Sequence, residues 1–180
     1  MAANPLPLMT VEEFRELPEP VGDYDYELHF GKLVPVTRSK LKHYVLQSRL
    51  RDLIRPVAPP GSFVDTELAF RAVPEYDLRV ADVAYVSAER WAEIDLEDNI
   101  RGAPDLVIEV LFLSNTAREM YEKEQLCMAH GCQEFWAIDP DKRYVRVALA
   151  NGPTTTYHPG ERIPLKLFGD ALLSVDDLFA

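Results

Sequence analysis

The chain has 180 residues, 47% of them hydrophobic and 27% charged, an ordinary soluble composition that suits one compact domain over 1–180; a chain of this length buries roughly 70% of its unfolded surface and needs no staples. No stretch nears the ~18 apolar residues of a membrane span. The opening MAANPLPLMT lacks the regions of a secretory signal, and Cys127 and Cys132 form no disulfide framework, so a cytoplasmic protein is expected. A formal net charge of −11 argues against loose adhesion to nucleic acid, yet leaves room for an acidic site that recruits a divalent cation.

In chain order, residues 10–17 predict a short helix with Thr10 as N-cap and Glu13 completing a capping box. YDYELHFGKLVPV (24–36) reads as a hairpin turning at Phe30-Gly31. Residues 40–55 predict an amphipathic helix with Leu41, Tyr44, Val45, Leu50, Leu53 and Ile54 as its apolar positions, ended by prolines and Gly61. Strands follow at 63–71 and 79–86. Residues 88–101 read as irregular, with Trp91 as an anchor. A strand at 105–113 leads to a helix at 117–130, capped by Thr116 and Glu119 and stopped by Gly131. Strands at 133–138 and 143–149, a polar hairpin near Asn151-Gly152-Pro153 and a final SVDDLF complete the chain. This order predicts a mixed sheet of α/β or α+β type.

The strand APDLVIEVLFLSNT (103–116) raises a chemical question: Glu109 interrupts an apolar run. An unpaired buried carboxylate costs several kcal/mol, so it shifts its pKa or finds a cation. A core lysine or arginine would serve, and so would a metal ion. A second acid, Asp82, sits within the apolar strand LRVADVAYV (78–86). On neighbouring strands the two acids converge, and hard oxygen ligands select Mg²⁺ or Mn²⁺. On the following helix, Ala117, Met120, Tyr121, Cys127 and Met128 form the expected apolar face with Lys123 at its border, free to snorkel outward or to point at the acids. Two acids and a lysine around a metal are equipment for phosphodiester hydrolysis. The metal lowers the pKa of a bound water, and the lysine orients that water or offsets developing charge.

Over nearly its whole length, in TVEEFRELP, YELHFGKLVPV, LRVADVAYVS and GAPDLVIEVLFLSNTAREMYEKEQLCMAHGCQEFWAIDP, the chain resembles the Uma family of restriction-endonuclease-like proteins, within the PD-(D/E)xK nuclease superfamily. The resemblance implies a central mixed sheet flanked by helices, a Mg²⁺ or Mn²⁺ site, DNA as substrate, and a homodimer or higher homo-oligomer. Carried over by position, Asp82 is the motif aspartate, Glu109 the motif acid, and Lys123 the lysine, moved onto the next helix from position 111, which is Leu111 here. Glu27 matches the upstream acid, and the Val110 carbonyl is a further metal ligand. Ala81 replaces the usual proline, Phe112-Leu113 replaces Ser-Pro, and Glu124 replaces an apolar residue, where it implies an ion pair or a subunit contact.

The literal Pro104-Asp105 pair is a decoy, because Asp105 and Glu109 lie about 13 Å apart along one strand. Cys127, His130 and Cys132 lack a fourth zinc ligand. His43, near the start of the second helix, could face the site but reads first as a surface or capping residue, and Ser114 lacks a triad. Arg38, Lys40 and Lys42, before and within the start of the second helix, form either a phosphate-binding patch or a solvated basic turn. The reading is therefore a metal-dependent DNA endonuclease. Its rival is a weak or inactive relative that works through oligomerisation or protein binding.

Overall fold

The computed structural model describes residues 8–111 and 116–180. Helix α1 (Val11–Arg15) starts at a full capping box, in which Thr10 accepts from the Glu13 N–H and Glu13 accepts from the Thr10 N–H. Strands β1 (Tyr24–His29) and β2 (Lys32–Thr37) form the expected hairpin. Its turn residues Phe30 and Gly31 have φ of 48° and 73°, the two positive values that suit strand twist. The hairpin is tied to residue 78 by Leu28, whose N–H donates to the Leu78 carbonyl at 3.0 Å.

Helix α2 (Leu41–Ile54) corrects the sequence expectation of its buried face. Leu41, Tyr44 and Val45 are exposed, while His43, Leu46, Gln47, Leu50 and Ile54 are buried. Those five follow the i, i+3, i+4, i+7 stripe of a core-facing helix, with a histidine and a glutamine in two of its places.

Strands β3 (Phe63–Arg71) and β4 (Arg79–Val86) pair antiparallel. The segment expected to be irregular contains a helical turn, α3 (Ala88–Trp91), and a short edge strand, β5 (Ile100–Arg101), parallel to β3. Trp91 does anchor it, stacking on Phe63 with ring centroids 4.0 Å apart. Strand β6 (Leu106–Val110) is buried at all five residues and reaches β7 (Glu134–Asp139), its parallel neighbour, through helix α4 (Ala117–Ala129). Strands β8 (Tyr144–Leu149) and β9 (Thr155–Tyr157) extend the sheet. A small hairpin, β10 (Arg162–Pro164) with β11 (Leu172–Ser174), and helix α5 (Val175–Leu178) follow.

The seven-stranded sheet has the order β5-β3-β4-β6-β7-β8-β9. On one face Leu46, Leu50 and Ile54 of α2 pack with Val175 and Leu178 of α5, Ile163 and Leu173 of the small hairpin, and Leu106, Ile108 and Val110 of β6. On the other, Leu126 and Cys127 of α4 pack over Ala84, Val107, Phe135 and Ala137. Strand β6 therefore lies between two cores, as a central strand with parallel pairing should. On α4, Ala117 and Tyr121 are exposed and the buried stripe contains Lys123 and Glu124. Each has a polar partner, Glu109 for Lys123 and Arg146 for Glu124, so polar pairing rather than apolarity rotates this helix. The ion pair accounts for Glu124.

Candidate active site

The site occupies a fork in the sheet. The β4–β6 ladder runs from Tyr85–Leu106 to Val83–Ile108 and stops. Beyond it, side chains take over the backbone groups that the ladder leaves. The Val110 N–H donates to Asp82 Oδ2 at 2.6 Å, and the Val80 N–H donates to Glu27 Oε1 at 3.0 Å. The Val80 carbonyl accepts from Lys123 Nζ at 2.7 Å. Main-chain groups buried away from water need such partners, so the fork draws polar side chains into the molecule's centre.

Strand alternation on β6 turns Val107 and Glu109 towards α4. Lys123 Nζ meets Glu109 Oε2 at 2.8 Å, with both residues buried. Burial raises the Glu109 pKa, Lys123 opposes that, and Asp82 and Glu27 reinforce it, leaving it at about 8. For Lys123 burial acts downward, but Glu109, Glu27 and Asp82 outweigh it and hold the ammonium charged. Glu27 is held at about 2 despite burial, by Lys123, by His29 at 2.6 Å and by the Val80 N–H.

Asp82 reaches the opposite face through a slip shared by two strands. On β4, Ala81 and Ala84 pack in the α4-side core while Val83 and Tyr85 pack on the α2 side. Strict alternation would put Ala81 and Ala84 on opposite faces. On β3, Phe63 and Phe70 share the α4 side across an odd interval, and between them Glu67 adopts φ 53°. Thr66 pairs with Val83 and Leu68 with Ala81, so Glu67 and Asp82 face each other at the slip. Asp82 Oδ1 accordingly meets α2. It accepts from Gln47 Nε2 at 2.9 Å and lies 2.9 Å from His43 Nε2. Gln47 Nε2 also donates to Glu67. One ligand atom each from His43, Glu67 and Asp82 fall within 4.8 Å of one another.

The structure thus gathers Asp82, Glu109, Lys123, Glu27 and the Val110 backbone. Four carboxylates, those of Glu27, Glu67, Asp82 and Glu109, interact with the one ammonium of Lys123. Glu109 Oε1 is buried with no hydrogen-bond partner among the described residues. A surplus of carboxylates with an orphaned buried oxygen fits a divalent cation. Arg38, Lys40 and Lys42 line a cleft of about 370 Å³ together with His43 and Val110. Arg38 pairs with Asp25 at 2.8 Å and Lys42 with Asp141 at 3.2 Å.

His43 corrects its expectation, being 4% exposed and beside Asp82 rather than on the surface. Glu67 and Gln47 have no place in the sequence reading. The i, i+4 pair His43 and Gln47 on a core-facing helix carries a signal that could have found two of the three. Asp105 lies away from the acids, accepting from the Ser87 N–H and Gln133 and pairing with Arg90 at 3.2 Å. Phe112, Leu113 and Ser114 lie outside the described residues.

A family model described as "Putative restriction endonuclease", Uma2, matches residues 11–176. The chain belongs to the Uma2 family. Among solved structures it is similar to a "putative nuclease belonging to DUF820" from Anabaena variabilis ATCC 29413, at 26% identity and a TM-score of 0.79, over 95% of this chain and 97% of that one. Its fold is the restriction-endonuclease-like one, a central mixed sheet flanked by helices. No curated protein matches. The Uma2 match spans every element that contributes a group to the fork, from β1 to α4.

Proposed function

We propose that the chain is a metal-dependent DNA endonuclease that hydrolyses phosphodiester bonds at the β4–β6 fork. The observation that carries this reading is the buried, unpartnered Glu109 Oε1 with Lys123 on the same carboxylate and Asp82 on the neighbouring strand. Asp82 and Glu109 hold Mg²⁺ or Mn²⁺, with the Val110 carbonyl as a further oxygen. When bound, the metal polarises the scissile phosphate and acidifies a water.

Lys123 keeps its proton, because the carboxylates around it, Glu109, Glu27 and Asp82 foremost, outweigh its burial. Its role is therefore to donate hydrogen bonds to the attacking water or to a phosphate oxygen, not to abstract a proton. Glu27 anchors Lys123 electrostatically and fixes β4 through the Val80 N–H. The cleft lined by Arg38, Lys40 and Lys42 supplies the basic approach for a DNA backbone to an otherwise acidic chain. A homodimer would bring two such clefts along one duplex.

Plasmid nicking tests the reading. Supercoiled DNA should be cut with Mg²⁺ or Mn²⁺ and not with EDTA, and Glu109→Ala should abolish cutting. The net charge of −11 favours a second reading, an inactive relative that binds other proteins. No cutting, together with no DNA binding at low salt in Ca²⁺, would select it.

A further inference from the structure

We propose that His43, Glu67 and Asp82 form a nitrogen-bearing metal site, binding a divalent transition ion, Mn²⁺ in preference to Mg²⁺, through His43 Nε2 and one carboxylate oxygen each of Glu67 and Asp82. The proposal deepens the nuclease reading and rests on Asp82 being a metal ligand. It adds the opposite wall of the fork, which the Asp82–Glu109 pair leaves out.

The geometry comes first. The three ligand atoms lie within 4.8 Å of one another, and His43 Nε2 is already 2.9 Å from Asp82 Oδ1. Ligand atoms around one ion at about 2.0–2.2 Å stand roughly 3–4 Å apart. From 4.8 Å, the three need close by at most about 1–2 Å.

A fourth group points into the same place. Gln47 is fully buried, its Nε2 donates to both Glu67 and Asp82, and its Oε1 has no hydrogen-bond partner among the described residues. An amide N–H₂ bridging two carboxylates occupies the place of a cation. Turning the amide over presents Oε1 to the same two acids. That orientation is repulsive between carboxylates alone and favourable once a cation lies between them. Gln47 therefore fits as a neutral oxygen ligand of the loaded site.

Chemistry selects the ion. Mg²⁺ is served by carboxylates and water in octahedral geometry and dehydrates reluctantly. Imidazole suits later first-row metals, and Mn²⁺ accepts both oxygen and nitrogen donors. A buried histidine in the set shifts preference away from Mg²⁺. The same shift explains why a histidine and a glutamine occupy two places on the core-facing stripe of α2, where leucines would pack more simply.

Electron spin-echo spectroscopy of Mn²⁺-loaded full-length protein is the test. Direct nitrogen ligation should give ¹⁴N modulation, replaced by ¹⁵N modulation when only histidine is ¹⁵N-labelled. The labelling arm needs no variant, so it decides the matter even where a substitution disturbs folding. By calorimetry, His43→Gln should weaken Mn²⁺ binding on the order of 10–100-fold, the scale of losing a group that supports a metal, while Mg²⁺ binding changes by less than about threefold. Mn²⁺ binding that depends on Glu109 but shows no histidine nitrogen would overturn this site and leave the Asp82–Glu109 centre standing. An absence of Mn²⁺ binding altogether would overturn both.

Discussion

Glu109 and Glu27 sit on the same lysine and respond to pH in opposite senses. Burial, aided by Asp82 and Glu27, lifts Glu109 from 4.5 to about 8 in the folded chain. Between those values the folded chain keeps a proton that the unfolded chain has released. The stabilisation this gives is complete below about pH 4.5 and is lost as pH rises through about 8. Stability of the metal-free protein should therefore fall with rising pH in that window, by at most about 1.4 kcal/mol per pH unit. Glu109→Gln keeps the shape without the titration. Its melting temperature should track wild type near pH 5 and exceed it increasingly towards pH 8. If the variant melts well below wild type throughout, the Lys123–Glu109 contact is a structural ion pair, whose breakage costs about 3–5 kcal/mol. Glu27, lowered from 4.5 to about 2, contributes stability above its unfolded value that fades as pH falls towards 2. Calorimetry with Mn²⁺ should show a site that Glu109→Ala removes; equal heats from both proteins would take Glu109 out of the centre.

Among elements, the β3–β4 slip makes a measurable claim about backbone strain. Glu67 holds φ 53°, a left-handed conformation that favours glycine. Glu67→Gly should raise the stability of metal-free protein by up to about 1 kcal/mol in urea unfolding, by relieving the backbone and removing a carboxylate from Asp82. A loss of stability would show that Glu67 is a packing residue of the slip. The slip also explains what the sequence hides. The strands, the hairpin and both capping boxes follow from turn residues, prolines and alternation, so they are legible. Asp82 and Glu109 are legible because each is a lone acid in an apolar strand. Lys123 needs the resemblance, since a helix-border lysine looks the same whether it snorkels or turns inward. Glu67 is illegible because alternation assumes an unbroken pleat, and no glycine marks the break. Gln47 is missed and His43 is placed on the surface because hydrophobicity alone draws the buried face of α2, putting exposed Leu41, Tyr44 and Val45 on it.

At the scale of the whole molecule, a chain of net charge −11 that acts on DNA as proposed can approach it only through a narrow basic cleft. Reversing charge at Arg38, Lys40 and Lys42 should abolish DNA binding and flatten what salt dependence it has. Light scattering should show the same assembly state as wild type. Binding that survives the triple reversal would move the DNA contact elsewhere. Arg38 and Lys42 each hold an acid already, Asp25 and Asp141. DNA has to displace those acids, so the measured salt slope should be shallower than three free cations would give.

The fork also has a history within each molecule's own synthesis. Its groups come from Glu27 on the first hairpin, His43 and Gln47 on α2, Glu67 and Asp82 on the slipped strands, Glu109 on β6 and Lys123 on α4. The core beneath α2 is finished by Ile163, Leu173, Val175 and Leu178, near the far end of the chain. A nascent chain emerging from the ribosome carries Glu27, Glu67 and Asp82 well before it carries the ammonium that balances them. Whatever reaction the centre performs, a truncated or half-made polypeptide has the parts without the arrangement. The arrangement is thus assembled only after the segment that carries Ile163 to Leu178 has been made.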